Sequence, residues 1–325
     1  MIIDGIAHRT MRFHNIYILT IFSAKKAELS GDYMSETKKI AITTDSNSGI
    51  LPAKAKELGV FVLPMPFLVN GEPYFENMNL SQADFYRLLS QNANVSTSQP
   101  SVGDLSDFWT EILKEYDCIV HIPMSSGLSQ SCATATNIAK EFDGRVFVVD
   151  NRRISVTLLE SVLDALKLRE QGKTAEEIVE FLVKTAEHSS IYIAVDTMKY
   201  LKKGGRVTPA AAMIGSILKI KPVLQILGER LDKFALARSL QKAKETMKTA
   251  IKNDLENRFS EFYKAGEMIL DVAYTENDKE ALAFCEELKT AFPNLTVRNC
   301  HPLPLSISCH IGPGALAVTT TRVIK

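Results

Sequence analysis

The sequence predicts an α/β protein with two domains, and three observations lead to that class. In the first half of the chain, β-rich runs alternate with amphipathic helical stretches, a pattern typical of a largely parallel sheet with helical crossovers. In the second half, several strands follow one another without an intervening helix, which indicates a mixed or antiparallel sheet. The length of 325 residues suits about two domains of ordinary size.

The composition excludes several classes of protein. Hydrophobic residues make up 46% and charged residues 23%, which is typical of a globular chain rather than a disordered, collagen-like or disulfide-rich one. The 38 basic residues balance the 38 acidic ones, so the net charge gives no attraction to nucleic acid or to an anionic membrane. The apolar run 16–22 is too short to span a bilayer. We expect a cytoplasmic protein with at most transient membrane contact.

The change of pattern between residues 150 and 190 predicts the domain boundary. Residues 38–155 are expected to form the first domain and residues 156–325 the second. Residues 1–37 show no clear period and are expected to be a disordered extension or an upstream start. The five cysteines are odd in number and irregularly spaced, which argues against a disulfide framework. We expect reduced thiols and no metal site, because tight CxxC-type pairs are missing.

The elements of the first domain follow from local patterns. Pro52 stands at a helix start, where proline is favoured, and Ser81 is a predicted N-cap with Asp84 three residues later. Residues 103–116 carry an apolar stripe at helical spacing. The predicted strands cover residues 39–44, 60–66, 118–122 and 145–149. The predicted helices cover residues 52–58, 81–89, 103–116 and 128–142.

The second domain is predicted in the same way, with two helices before its first strand. The predicted helices cover residues 155–171, 174–188, 238–262 and 278–292. The predicted strands cover residues 191–195, 222–226, 233–237, 269–274, 295–298 and 315–320.

Polar segments at strand ends and helix starts are candidate binding sites, and they cover residues 43–48, 96–101, 124–131 and 309–314. A helix start offers unpaired N–H groups and suits a carboxylate or phosphate, although plain N-capping explains such residues equally well. His310 lies among glycines and a proline and is either a structural hydrogen-bonding residue or a functional one. The basic stretch 202–206 is interpreted as a turn, either solvated or in contact with an anion or a partner.

Nucleotide and zinc signatures are missing from the sequence. GxxxxGK[ST], GxGxxG and HExxH do not occur, so nothing predicts a bound nucleotide or a catalytic zinc. Residues 127–131 approach the G-x-S-x-G elbow of α/β-hydrolases but have Ser131 in place of the last glycine. With Asp150 and His310, the order Ser, Asp, His fits a hydrolase based on Ser129. A serine hydrolase is therefore the enzyme alternative.

Taken together, the segments resemble the DegV family of fatty-acid-binding proteins from Lys39 to the C-terminus. Six blocks in the family order carry the resemblance, and they are residues 45–46, 97–101, 125–129, 201–207, 220–224 and 310–315. Two departures occur, since Gln130 and Ser131 replace the usual Gly-Thr and the loop 45–49 lacks the second aspartate that is commoner after its serines. Dihydroxyacetone kinases share a related fold, so a triose- or sugar-binding protein is a third reading.

The resemblance implies a two-domain fold that encloses one long-chain fatty acid and has no catalysis or cofactor of its own. Such proteins serve as the binding subunit of a bacterial fatty acid kinase, in which a separate ATP-dependent subunit makes acyl phosphate for phospholipid synthesis. Arg206 matches the arginine of the family's Gly-Gly-Arg turn and is expected to dock the kinase. The implied carboxylate contacts are Thr97, Ser98, Ser126, Ser129 and His310.

The carrier and hydrolase interpretations predict different behaviour toward a serine-reactive probe. We expect a fluorophosphonate not to label Ser129 and acyl esters not to be hydrolysed, because the elbow lacks the final glycine that relieves crowding at the strained turn. Labelling is measured by intact-protein mass spectrometry, with the Ser129→Ala variant as control. Robust labelling that disappears in this variant would support the hydrolase.

Overall fold

A computed structural model describes residues 38–76, 78–214 and 220–325. The expectation of a disordered extension at residues 1–37 lies outside the described residues. No helix in these three ranges is long and apolar enough to cross a membrane. The cysteines are free thiols, four of them buried and Cys300 half-buried.

The first half of the chain alternates short strands and helices around buried apolar runs. Its elements are β1 (Ile40–Asp45), α1 (Pro52–Leu58), β2 (Phe61–Leu63), β3 (Pro66–Val69), β4 (Glu72–Phe75), α2 (Gln82–Ser90), β5 (Val95–Thr97), α3 (Val102–Ile112), β6 (Cys118–Ile122), α4 (Ser131–Ile138) and β7 (Val146–Val148). The predicted cap of α2 forms, because the Ser81 hydroxyl accepts a hydrogen bond from the N–H of Asp84, and Ser101 caps α3 in the same way through the N–H of Asp104.

The second half carries longer helices and strands. Its elements are α5 (Val156–Glu170), α6 (Ala175–Lys184), β8 (Ser189–Ala194), α7 (Lys199–Gly204), α8 (Pro209–Ala212), β9 (Lys221–Ile226), β10 (Asp232–Ala237), α9 (Leu240–Glu256), α10 (Ser260–Lys264), β11 (Met268–Tyr274), α11 (Asp278–Ala291), β12 (Val297–Pro302), α12 (Leu305–Ile311) and β13 (Leu316–Arg322).

The two main sheets differ in strand direction, as the sequence predicts. The first has the order β2–β1–β6–β7 and its strand pairs are parallel. The second has the order β10–β9–β8–β13–β11–β12, with antiparallel pairs except for the parallel pair of β11 and β12. The α/β class with one parallel and one mixed sheet is therefore confirmed.

Some observed strands and helices differ from the predicted ones, because the local sequence pattern is misleading there. The single strand predicted over residues 60–66 is wrong, because β2 joins the parallel sheet and β3 joins a small antiparallel sheet of order β4–β3–β5. Proline at 64 has no N–H to continue a ladder, and the N–H of Met65 donates to the Ser46 hydroxyl instead. The single helix predicted over 238–262 divides into α9 and α10 at Asn257, whose side chain donates to the Asn253 carbonyl.

Helix α12 was not predicted, and a distant residue supplies its N-terminal cap. Pro304 precedes the helix and provides no side-chain cap. The buried carboxylate of Glu76 accepts a hydrogen bond from the N–H of Ser306 at 3.1 Å. A second tie is the hydroxyl of Tyr86, which donates to Ser308 at 3.0 Å. These contacts fix α12 against the small sheet and helix α2.

Helices α7 and α12 approach closely at a glycine. A methyl group added at Gly204 would lie 2.0 Å from Nδ1 of His310, far inside contact distance. The predicted basic turn over residues 202–206 is therefore wrong in part, since its first residues complete α7 and only Gly205 takes the left-handed conformation that ends the helix. The missing side chain at 204 lets the imidazole pack directly against α7.

We expect Gly204→Ala to lower the melting temperature by roughly 2–10 °C, because overpacking in a tight contact costs about 1–3 kcal/mol. Gly205→Asn is the matched control, since a Cβ there meets no atom within 4 Å and asparagine tolerates the left-handed conformation. Differential scanning calorimetry measures both variants. If Gly204→Ala melts no lower than Gly205→Asn, the close contact does not exist in solution.

Candidate ligand-binding cavity

A cavity of about 300 Å³ opens at the carboxyl ends of the parallel strands and extends to the mixed sheet. Its inner wall is apolar where β8, β11 and β13 present small or branched side chains, among them Ile191, Ile193, Ala273 and Ala317. These residues share one face of the sheet, because Ala317 pairs with Ile193 on one side and with Ala273 on the other. The inner wall suits a hydrocarbon chain.

The outer part of the cavity is polar and brings together residues that are far apart in sequence. Thr97 at the end of β5, Ser129 before α4, Arg206 after α7 and His310 near the end of α12 all line it. Ser98 also lines it and is exposed, so this part of the cavity is its solvent side. The structure thus assembles most of the residues that the sequence predicts for a carboxylate site.

Thr97 and His310 form the hydrogen bond that organises this group. Their Oγ1 and Nε2 atoms are 2.9 Å apart, while Nδ1 of His310 has no hydrogen-bond partner in the described part of the chain. A buried N–H without an acceptor is rarer than an unpaired acceptor, so we assign the proton to Nε2. Nε2–H then donates to Thr97, whose hydroxyl hydrogen is free to donate to a ligand oxygen.

His310 is neutral at physiological pH. Burial, with a smaller effect of the nearby Arg206 charge, lowers its pKa to about 4. The histidine therefore contributes no charge of its own to this end of the cavity, and its polar contact there is with the Thr97 hydroxyl.

The two predicted serines of the third polar segment lie in different surroundings. Ser129 is half-buried in the cavity lining, and its Oγ accepts a hydrogen bond from the N–H of Ser131 at 3.1 Å. That bond leaves the Ser129 hydroxyl hydrogen available to a ligand. Ser126 is exposed and does not line the cavity. It lies in the turn before α4, where its N–H donates to the carboxylate of Asp150.

Arg206 lies beside the polar end of the cavity, although it is distant in sequence from the other site residues. Its Nε donates to the carbonyl of Leu128 at 3.1 Å and its Nη1 to the carbonyl of Gly204 at 2.6 Å. These bonds hold the half-buried guanidinium between the turn before α4 and the end of α7. The arginine supplies positive charge near the site while two of its donors are already bonded.

Two further polar residues of the lining lie outside the carboxylate contacts that the family resemblance implies. Asn47 and Ser306 bond each other at 2.8 Å, and the Asn47 carbonyl accepts from the N–H of Ser155 at 2.9 Å. Their polarity is thus satisfied within the protein. Asn47 could be found from the sequence, because it belongs to the polar segment 43–48 at the end of β1. Ser306 could not, because it lies on α12, whose cap comes from a distant part of the chain.

The arrangement does not resemble a serine hydrolase triad. A catalytic histidine needs its Nδ1–H held by a carboxylate, whereas Nδ1 of His310 packs against Gly204. The carboxylate of Asp150 instead accepts from the N–H groups of Ser126 and Arg152, each at 3.3 Å. In the described ranges, no cluster of three or more His, Cys, Asp or Glu side chains could hold a metal ion.

Comparisons with known proteins agree with one another. A family model described as an uncharacterised protein of the DegV family matches residues 39–322. A DegV domain-containing protein of Listeria monocytogenes is 29% identical over 287 residues, which cover 87% of this chain and 98% of that protein.

Solved structures show the same fold. A fatty-acid-binding DegV family protein from Thermus thermophilus has a TM-score of 0.79 and 27% identity, with 88% of this chain and 100% of that chain covered. DegV from Bacillus subtilis, a fatty acid binding protein, has a TM-score of 0.75 and 27% identity, with 88% and 99% covered. The chain therefore belongs to the DegV family.

Proposed function

We propose that the protein binds one long-chain fatty acid and presents its carboxylate to a separate ATP-dependent kinase. The observation that carries the proposal is a cavity that combines an apolar inner wall with a rim of hydroxyl groups. The two relatives of known structure from Thermus thermophilus and Bacillus subtilis are fatty-acid-binding proteins, which supports the same ligand class here.

The carboxylate is assigned to the polar end of the cavity. Thr97 and Ser129 each have a hydroxyl hydrogen to donate, and exposed Ser98 stands beside them. Donors of this kind offset the loss of water around the charged group. They are neutral, so they hold the oxygens less tightly than a paired arginine would and leave one accessible to a phosphoryl donor.

The tail provides most of the binding free energy. Each buried methylene contributes about 0.8 kcal/mol, so about fifteen methylenes contribute roughly 12 kcal/mol before ordering costs. Loss of one hydrogen bond to the carboxylate costs only about 1.5–3 kcal/mol. The lipid is therefore retained through purification even where the head group is imperfectly held.

We expect organic extraction of the purified protein to release a stoichiometric long-chain fatty acid, identified by mass spectrometry. Added back at about one hundred times its Kd, the acid should stabilise the lipid-free protein by about 2.7 kcal/mol, because it binds only the native state. The matched control is the fatty alcohol of the same length, which should stabilise less. The proposal fails if no acyl chain is recovered and added fatty acid leaves the melting temperature unchanged.

We infer that Arg206 contributes to kinase docking, because its charge lies beside the exposed rim. We expect Arg206→Ala to weaken kinase binding in calorimetry, while mass spectrometry still finds bound lipid, since the tail dominates the affinity. Lys202→Ala, which removes an exposed charge from α7 four residues before Arg206, is the control and should bind the kinase normally. Normal kinase affinity with loss of lipid in Arg206→Ala would assign the arginine to the ligand site alone.

A further inference from the structure

The inner wall of the cavity contains one polar side chain on the mixed sheet. Along β13, Ala317 and then Thr319 face the cavity as the strand leads away from α12 and the rim. Thr319 is 1% exposed, and its hydroxyl has no hydrogen-bond partner among the residues that the structure describes. The other lining residues of this sheet are apolar, namely Ile191, Ile193, Ile226, Ala273 and Ala317.

Two more unpaired oxygens lie on the same face of the sheet. Asp271 on β11 is directly opposite Thr319, and Thr321 is the next residue of β13 on this face. Both residues are fully buried, and Oδ2 of Asp271 and Oγ1 of Thr321 lack partners within the described ranges. Unpaired hydroxyls are not a general property of the strand, because Thr320 donates to the Ile269 carbonyl at 3.1 Å.

The Asp271 side chain can act as a hydrogen-bond donor. Its Oδ1 accepts from the N–H and the side-chain amide of Asn299, at 3.0 and 2.8 Å. Burial, reinforced by the neighbouring Glu160, raises its pKa well above the usual range. Glu160 on α5 is paired with Arg298, and burial raises its own pKa to about 7, so binding of a proton by this pair of carboxyls is favoured.

These unpaired groups need a partner that the described residues do not supply. A buried polar group without a hydrogen bond is destabilising, and so few remain unpaired in folded proteins. A saturated hydrocarbon tail would fill the cavity beside Thr319 and leave its hydroxyl unpaired. An alcohol oxygen both donates and accepts, so it can pair with a threonine hydroxyl and with a protonated carboxyl.

We propose that the cavity selects a long-chain fatty acid that carries a hydroxyl group in the half of the chain remote from the carboxylate. Thr319 contacts this hydroxyl directly, and Asp271 and Thr321 lie beside Thr319 on the same face. The proposal rests on the proposed fatty-acid-binding function and specifies its ligand class. An acid with an apolar tail binds through the same carboxylate site but lacks the second polar contact.

The test is calorimetric titration of the full, lipid-free chain with stearate and with stearates that carry one hydroxyl at successive positions of the distal half. We expect at least one hydroxylated acid to bind about two- to tenfold more tightly than stearate, which corresponds to one neutral hydrogen bond. Thr319→Val should abolish this preference, so that the hydroxylated acid and stearate bind the variant with similar affinity. Thr319→Ser should keep the preference.

Thr320→Val is the matched control, because Thr320 is the adjacent residue of β13 and its hydroxyl bonds a backbone carbonyl. This variant should be less stable but should retain the preference. The inference is overturned if stearate binds the native protein at least as tightly as every hydroxylated acid, or if Thr319→Val retains the preference. Failure of all the acids to bind would instead contradict the proposed function.

Discussion

The capping of α12 by Glu76 is the interaction on which the site depends. Helix α12 follows a proline and has no side-chain cap of its own, so the carboxylate of the residue that follows β4 accepts from the N–H of Ser306 in its first turn. The same helix carries His310, and the same small sheet carries Thr97 at the end of β5. One buried contact thus holds Thr97 and His310 within hydrogen-bonding distance of each other, even though 213 residues separate them in the sequence.

The cavity separates two kinds of interaction along its length. At the rim, neutral donors and a half-buried arginine face the solvent side. Toward the mixed sheet, aliphatic side chains exclude water from the wall. An amphipathic ligand can bind such a cavity in one orientation only, because reversal would bury its charge against hydrocarbon. The distribution of polar and apolar side chains along the cavity therefore sets the direction of an amphipathic ligand.

Local patterns predicted most of the fold, because strands such as β6 are continuous buried runs and helices such as α2 have caps within three residues. The members of the rim were predicted through the family resemblance rather than through spacing. What could not be predicted depends on distant contacts. Helix α12 is capped from residue 76, and Thr319 becomes notable only because its neighbours in space leave its hydroxyl unpaired.

The position of β13 has a consequence for biosynthesis. It is the last of the described strands in the chain, yet it lies between β8 and β11 in the middle of the mixed sheet. While the ribosome is still translating residues 316–322, β8 and β11 each present an unpaired edge that could associate with another nascent chain. Insertion of β13 removes both edges and completes the cavity wall at once, so the partly made chain is most open to misassociation until this strand has been translated and inserted.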